Sequence, residues 1–131
     1  MQNEIAILLP YKDQFIRDNA GSASIWVKDF SKNSIYKKSI TVFGYTPSTD
    51  KLIKGIKYRN LFFSSFGIKS KNEKYVLKFV SILKKKNFSI IEIHNRPSYI
   101  NIIDKVIRNK KYVLIIHNNP LLIFYYDNPF S

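Results

Sequence analysis

The sequence predicts an α/β fold on a mostly parallel sheet. Two observations carry that expectation. Short runs of β-formers alternate with segments of helical periodicity, the pattern of βαβ units with right-handed crossovers. Two of those runs, Ile90–Ile93 and Tyr112–Ile116, are continuously apolar apart from Glu92, as strands covered on both faces are. Each run leads into a His-Asn pair with a proline close behind: His94-Asn95-Arg96-Pro97 and His117-Asn118-Asn119-Pro120.

Glu4–Leu9 reads as a buried strand closed by Pro10, followed by a polar loop over Tyr11–Asn19. Ser22–Ser31 reads as a helix with Ala23, Trp26, Val27 and Phe30 on its buried face, and Ser39–Phe43 as a second strand. Gly44–Lys57 contains Gly44, Pro47 and Gly55 and reads as an irregular loop, with Tyr58–Phe63 as a third strand. Asn72–Lys86 is an amphipathic helix whose Tyr75, Val76, Phe79, Val80 and Leu83 recur at helical spacing. Ser98–Asn109 is the clearest helix, with Tyr99, Ile102, Ile103, Val106 and Ile107 on one side and an Asp104–Arg108 pair on the other.

At 131 residues, with 45% hydrophobic and 15% aromatic residues, the chain has the size and apolar content of one domain with one core. It has no cysteine, which removes disulfides, thiolate nucleophiles and cysteine-based zinc sites together. No apolar run approaches the roughly 20 residues of a membrane span. Met1-Gln2-Asn3-Glu4 lacks the basic start of a signal peptide, so a cytoplasmic location is the expectation. The formal net charge is +13, yet 18 of the 22 basic residues are lysine. Lysine shares AT-rich codons with the abundant Ile, Asn, Tyr and Phe, so genome composition accounts for much of the excess. Phosphates and lipid headgroups are therefore better expected partners than nucleic acid. Lys71, Lys74, Lys78 and Lys84–Lys86 read first as the solvated side of a helix.

Several chemistries are excluded by what is missing. There is no GxxxxGK[ST] phosphate loop, no GxGxxG fingerprint and no GxSxG elbow. Leu8-Leu9-Pro10 supplies no acidic cluster of the phospho-receiver kind. The two histidines lack companions at metal-ligand spacing, so no metal is expected. What remains is Gly21-Ser22 at the opening of the first helix, where free N–H groups can meet an anion. The plainer alternative is a helix cap by Asn19 or Ser22, with Gly21 serving the turn. A single histidine at a strand end can likewise be a cap bonding loop carbonyls. Two at equivalent strand ends, each followed by Asn, favour a shared ligand site on the carboxyl edge of the sheet.

With Ile5–Pro10 followed by Ala20–Val27, then the HNRP and HNNP segments in that order, the chain resembles the amino-terminal half of the family-4 glycosyltransferases. The likeness runs over roughly residues 4–120 and is nearest to bacterial enzymes that build lipopolysaccharide and related surface glycans. The resemblance implies that residues 1–131 form one Rossmann-like, three-layer α/β/α domain, the acceptor-side half of a GT-B fold, with the donor-binding domain absent. It implies retaining sugar transfer from a nucleotide-sugar, as co-substrate and without other cofactor, to a glycan or lipid-linked acceptor. It places Gly21 and Ser22 by the donor diphosphate, His117 at the reaction centre, and His94, Asn95, Arg96 and Asn118 along the acceptor cleft. It further implies a half that does not turn over alone, pairing with a donor domain or with a second copy, in peripheral contact with an anionic membrane. After Pro120 the apolar segment Leu121–Ser131 departs from the family pattern and is expected to pack on the sheet or at a partner surface. A non-catalytic carbohydrate- or phosphate-binding module, and more remotely a basic nucleic-acid-binding domain, are the other functions open at this point.

Overall fold

The computed structural model describes residues 4–18, 20–117 and, for the backbone, 123–127. Six strands form one sheet: β1 Glu4–Leu8, β2 Ile40–Gly44, β3 Lys57–Asn60, β4 Phe88–His94, β5 Lys111–Ile115 and β6 Ile123–Asp127. Their order is β3-β2-β1-β4-β5-β6, and every pairing is parallel except β5 with β6. Three helices connect them: α1 Ser22–Asn33, α2 Lys71–Leu83 and α3 Ser98–Asp104. The molecule is a single Rossmann-like α/β domain, as the alternation of apolar runs and helical stretches predicts.

The period-2 alternation of β1 sorts the core into two layers. Ala6 and Leu8 face α2 and α3, joining Phe43, Tyr75, Phe79, Ile91, Ile93 and Tyr99. Ile7 and Leu9 face α1, joining Val27, Ile40 and Val42. Full burial of each such side chain stabilises by about 1.5–3 kcal/mol. Helices on both faces explain why β1 after Glu4 is wholly apolar and why β4 places Phe88, Ile91 and Ile93 in the core. β3 differs: Lys57 and Arg59 are exposed, which suits an edge strand and discourages pairing with another chain.

The element ends differ from the sequence expectation in three instructive places. β3 stops at Asn60, so Phe62 and Phe63 lie outside it; the Asn60 carboxamide accepts from the Thr46 N–H at 2.7 Å and donates to the Thr46 carbonyl at 3.1 Å, pinning the loop rather than extending the strand. α3 closes at Asp104, five residues short of the predicted end. The N–H groups of Val106 and Ile107 both turn back to the Ile103 carbonyl, and Asn109 takes φ +64°. β6 falls in the apolar tail that was expected to pack on the sheet. Residues 116–122 are too few for a parallel crossover, which takes roughly a dozen, so the strand returns antiparallel.

Candidate functional site

Parallel strands deliver their C-terminal ends to one edge. In the order β3-β2-β1-β4-β5-β6 the connections reverse direction between β1 and β4, and an open α/β sheet splits into a crevice at that point. The chain after β1, the start of α1, the end of β4 and the residues following β5 all meet there.

Glu92 and His94 lie two residues apart on β4, so they share the α1 face of the sheet. Both are buried, His94 completely (0% exposed). Glu92 Oε2 stands 2.7 Å from His94 Nε2, and His94 Nδ1 stands 2.7 Å from His117 Nε2. The two imidazoles lie nearly in one plane, edge to edge, with 5.0 Å between centroids and 15° between planes. Trp26 of α1 lies over both, 5.4 Å from His94 and 6.0 Å from His117. The indole also stacks on Phe30 at 4.8 Å. Trp26 is therefore a half-buried roof over the histidines and not simply core, and Phe30, expected on the buried face, is 43% exposed.

Asn95 takes φ +60°, a left-handed conformation that asparagine tolerates better than most residues. The turn lets its N–H donate to the Ile115 carbonyl at 2.8 Å while its Oδ1 accepts from the His117 N–H at 2.6 Å. Asn95 thus ties the end of β4 to the residues leaving β5 and sets the position of His117. It acts on the backbone, not as an open group of a cleft.

At the opening of α1, Gly21 makes room for the Asp13 carboxylate. A Cβ on Gly21 would stand 2.5 Å from Asp13 Oδ1. The same oxygen accepts from the buried Ser24 hydroxyl at 2.7 Å. A negative group here is favoured by the positive end of the helix. The loop holding Asp13 is anchored on both sides. Tyr75 donates its hydroxyl to the Leu9 carbonyl at 2.7 Å, and the Tyr11 N–H donates to the Tyr99 hydroxyl at 3.1 Å. Across the loop, the Phe15 N–H donates to Thr46 Oγ1 at 3.1 Å, and the Ile53 N–H to the Phe15 carbonyl at 3.1 Å.

The predicted site residues thus separate. Gly21, Ser22, His94, Asn95 and His117 gather at the switch point, with His94 sealed behind His117 and not lining the rim. Arg96 lies elsewhere: it lines an open depression of about 390 Å³ with Asn72, Glu73 and Tyr99 between α2 and α3. Asn118 lies outside the described residues. Asp13, Ser24 and Glu92, none of them a site residue on the sequence alone, complete the cluster together with Trp26, which the sequence assigns to the core. For Glu92 a signal was present, a lone acid two residues before His94 in an otherwise apolar strand. For Asp13 there was none, because its loop is placed by long-range hydrogen bonds. No family model matches the chain, and no curated protein matches it.

Burial, and then His94, hold the His117 imidazole below the ordinary histidine value of 6.5, partly offset by the Asp13 and Glu92 carboxylates. Folding therefore lowers the proton affinity of His117. As pH falls through 6.5 the unfolded chain takes the proton first, so stability is lost with acidification and the loss levels off once the folded protein is protonated too. Thermal melts should show a lower midpoint at pH 5.5 than at pH 7.5, with a smaller drop in His117→Gln. An equal drop in the variant would assign the effect to another group.

Proposed function

We propose that this domain is the acceptor-side half of a retaining glycosyltransferase, which works with a donor-binding domain to move a sugar from a nucleotide-sugar to a surface glycan such as lipopolysaccharide. The observation that carries this reading is the convergence of His117, Asp13 and the opening of α1 at the topological switch point. A carboxylate and an imidazole offer sugar hydroxyls both acceptors and donors. The Trp26–Phe30 pair offers an apolar face beside them. In the transition state, charge develops on the leaving diphosphate and on the sugar ring, and fixed dipoles at a helix opening suit the first.

One observation favours a second reading, a carbohydrate-binding module without transfer. The Asp13 carboxylate already uses the positive end of α1. A diphosphate reaches Gly21 and Ser22 only after Asp13 swings aside, whereas a neutral sugar needs no such movement. Titration of the labelled chain with UDP-glucose, GDP-mannose and neutral oligosaccharides separates the two. The transferase reading expects weak, saturable shifts at His117 and Trp26 with nucleotide-sugars, strengthened severalfold by Asp13→Asn. Shifts with neutral sugars alone favour the module, and no shift with either class removes sugar binding from this rim.

A lipid-linked acceptor would bring the domain to a bilayer, and the loop between β3 and α2 suits that contact. Phe62, Phe66 and Ile68 are 57%, 89% and 104% exposed, and Lys69, Lys71 and Lys74 follow them along the chain. This loop leaves the carboxyl end of β3 and so shares the edge of the histidines. The cluster of Lys84, Lys85, Lys86, Arg108 and Lys110 lies at the opposite edge, beyond the C-terminal end of α2. Among the described residues no helix is long and apolar enough to cross a membrane. The chain should sediment with phosphatidylglycerol-containing vesicles and not with neutral ones. Phe66→Ser with Ile68→Ser should weaken that binding at least about tenfold. Unchanged binding would move the contact elsewhere.

A further inference from the structure

Glu92, His94 and His117 are joined by two 2.7 Å hydrogen bonds that lead from the rim into the sealed interior. Their proton positions are assigned by following the network. An ionised carboxylate has no hydrogen to give, so Glu92 accepts and Nε2 of His94 donates. In a neutral imidazole the other nitrogen is then an acceptor, so Nδ1 of His94 takes the hydrogen of His117 Nε2. His117 is left with its lone pair on Nδ1. The burial of Glu92 and His94 means that water does not interrupt this order.

We infer that Glu92, His94 and His117 form a proton relay between the rim and the buried carboxylate, with Glu92 and His94 as positioning residues for His117. At the rim an O–H bond breaks, in hydronium during acidification or in a hydroxyl whose oxygen keeps the electron pair for the bond it forms next, and the proton forms a new N–H bond at Nδ1 of His117. The Nε2–H bond of His117 breaks, and that proton forms an N–H bond at Nδ1 of His94. One proton has entered, and one positive charge now resides on His94. Its imidazolium donates to Glu92 on one side and to His117 on the other. His117 itself remains neutral, but its Nδ1 has changed from acceptor to donor.

The surrounding groups support charge on the inner ring. Glu92 touches His94 directly, which offsets the cost of a buried cation. Asp13, from the loop after β1, and Glu92, from β4, are the carboxylates that act on His117, and α1 contributes the uncharged Trp26. A ring that turns from acceptor to donor without becoming charged can take a proton from one hydroxyl and then bond a neighbouring oxygen, keeping a cation off the rim. The inference deepens the functional reading of His117, yet its test involves no sugar, so failure of either is distinguishable.

The chain has two histidines, so long-range ¹H–¹⁵N correlation spectra of the labelled full chain report each ring separately. Near pH 8 both rings should be neutral with hydrogen on Nε2. On acidification the first proton should give His94 the imidazolium pattern while His117 becomes the Nδ1–H tautomer. Glu92→Gln keeps an acceptor oxygen for His94 and removes the charge; it should weaken uptake of that proton about tenfold, a midpoint lower by about one pH unit. Three results would overturn the relay: a first proton that leaves the charge on His117, hydrogen on Nδ1 of His94 near pH 8, or an unchanged midpoint in Glu92→Gln. The wild-type spectra decide the tautomers even where the variant fails to fold.

Discussion

Replacing His117 with Gln is expected to lower sugar transfer about a hundredfold or more in an enzyme assembled from this domain and a donor-binding domain. Removing a positioned proton-transfer group costs about 10²–10⁴, and removing one fixed donor at a developing charge about 10²–10³. The effect should fall on kcat, because a group used mainly in the transition state contributes little to ground-state binding. The fold should survive the change. The imidazole is partly exposed, and the contact that positions residue 117 runs through its N–H to Asn95 Oδ1, which glutamine keeps. A glutamine amide can still donate to Nδ1 of His94, so the buried pair is not left open. Near-normal turnover in the variant, with melting unchanged, would remove His117 from the chemistry.

That prediction depends on a site of which the sequence disclosed about half. The sheet was legible because covering on both faces leaves a plain mark: Ile5–Leu9 and Ile90–Ile93 have almost no polar residue to hide. α2 was legible because Tyr75, Val76, Phe79 and Val80 repeat at helical spacing and all are buried. α3 was overextended because Val106 and Ile107 continue the apolar spacing past the point where the backbone turns at Ile103. Periodicity reports which side chains would share a face, not whether the next turn of helix is made.

At the rim, the paired His-Asn ends were visible, but their division of labour was not. Both read as two equal groups facing a cleft. Pleating instead turns His94 inward beneath Trp26 and leaves His117 half out, and Asn95 spends its carboxamide on the backbone. Arg96, one residue further, turns to the other side of the sheet. Asp13 was invisible for a different reason. Its loop has no local pattern; Tyr75, Tyr99 and Thr46, from three distant elements, hold it in place. A close approach at Gly21 was anticipated, but for a phosphate, and the structure fills that space with a carboxylate of the chain itself.

The buried pair is also where the largest change in stability is expected. Glu92→Leu leaves the Nε2–H of a fully buried imidazole without its acceptor, and should cost about 2–3 kcal/mol. For a domain of this size that is roughly a 10 °C fall in melting temperature. His94→Phe strands the carboxylate instead, a buried charge without its donor, and should cost about 3–5 kcal/mol. The double variant removes both problems. Leucine and phenylalanine fill the two buried sites with apolar volume, and replacing both partners of a buried polar pair is often close to neutral. The double should therefore be at least about 2 kcal/mol more stable than the sum of the single losses predicts. A double variant within about 1 kcal/mol of the wild type would also mean that an apolar pair holds the fold nearly as well as Glu92 and His94 do. The polar pair would then be explained by the imidazole it orients at the rim and not by stability. Additive losses would mean that the two side chains do not act on each other, and the relay would lose its buried end.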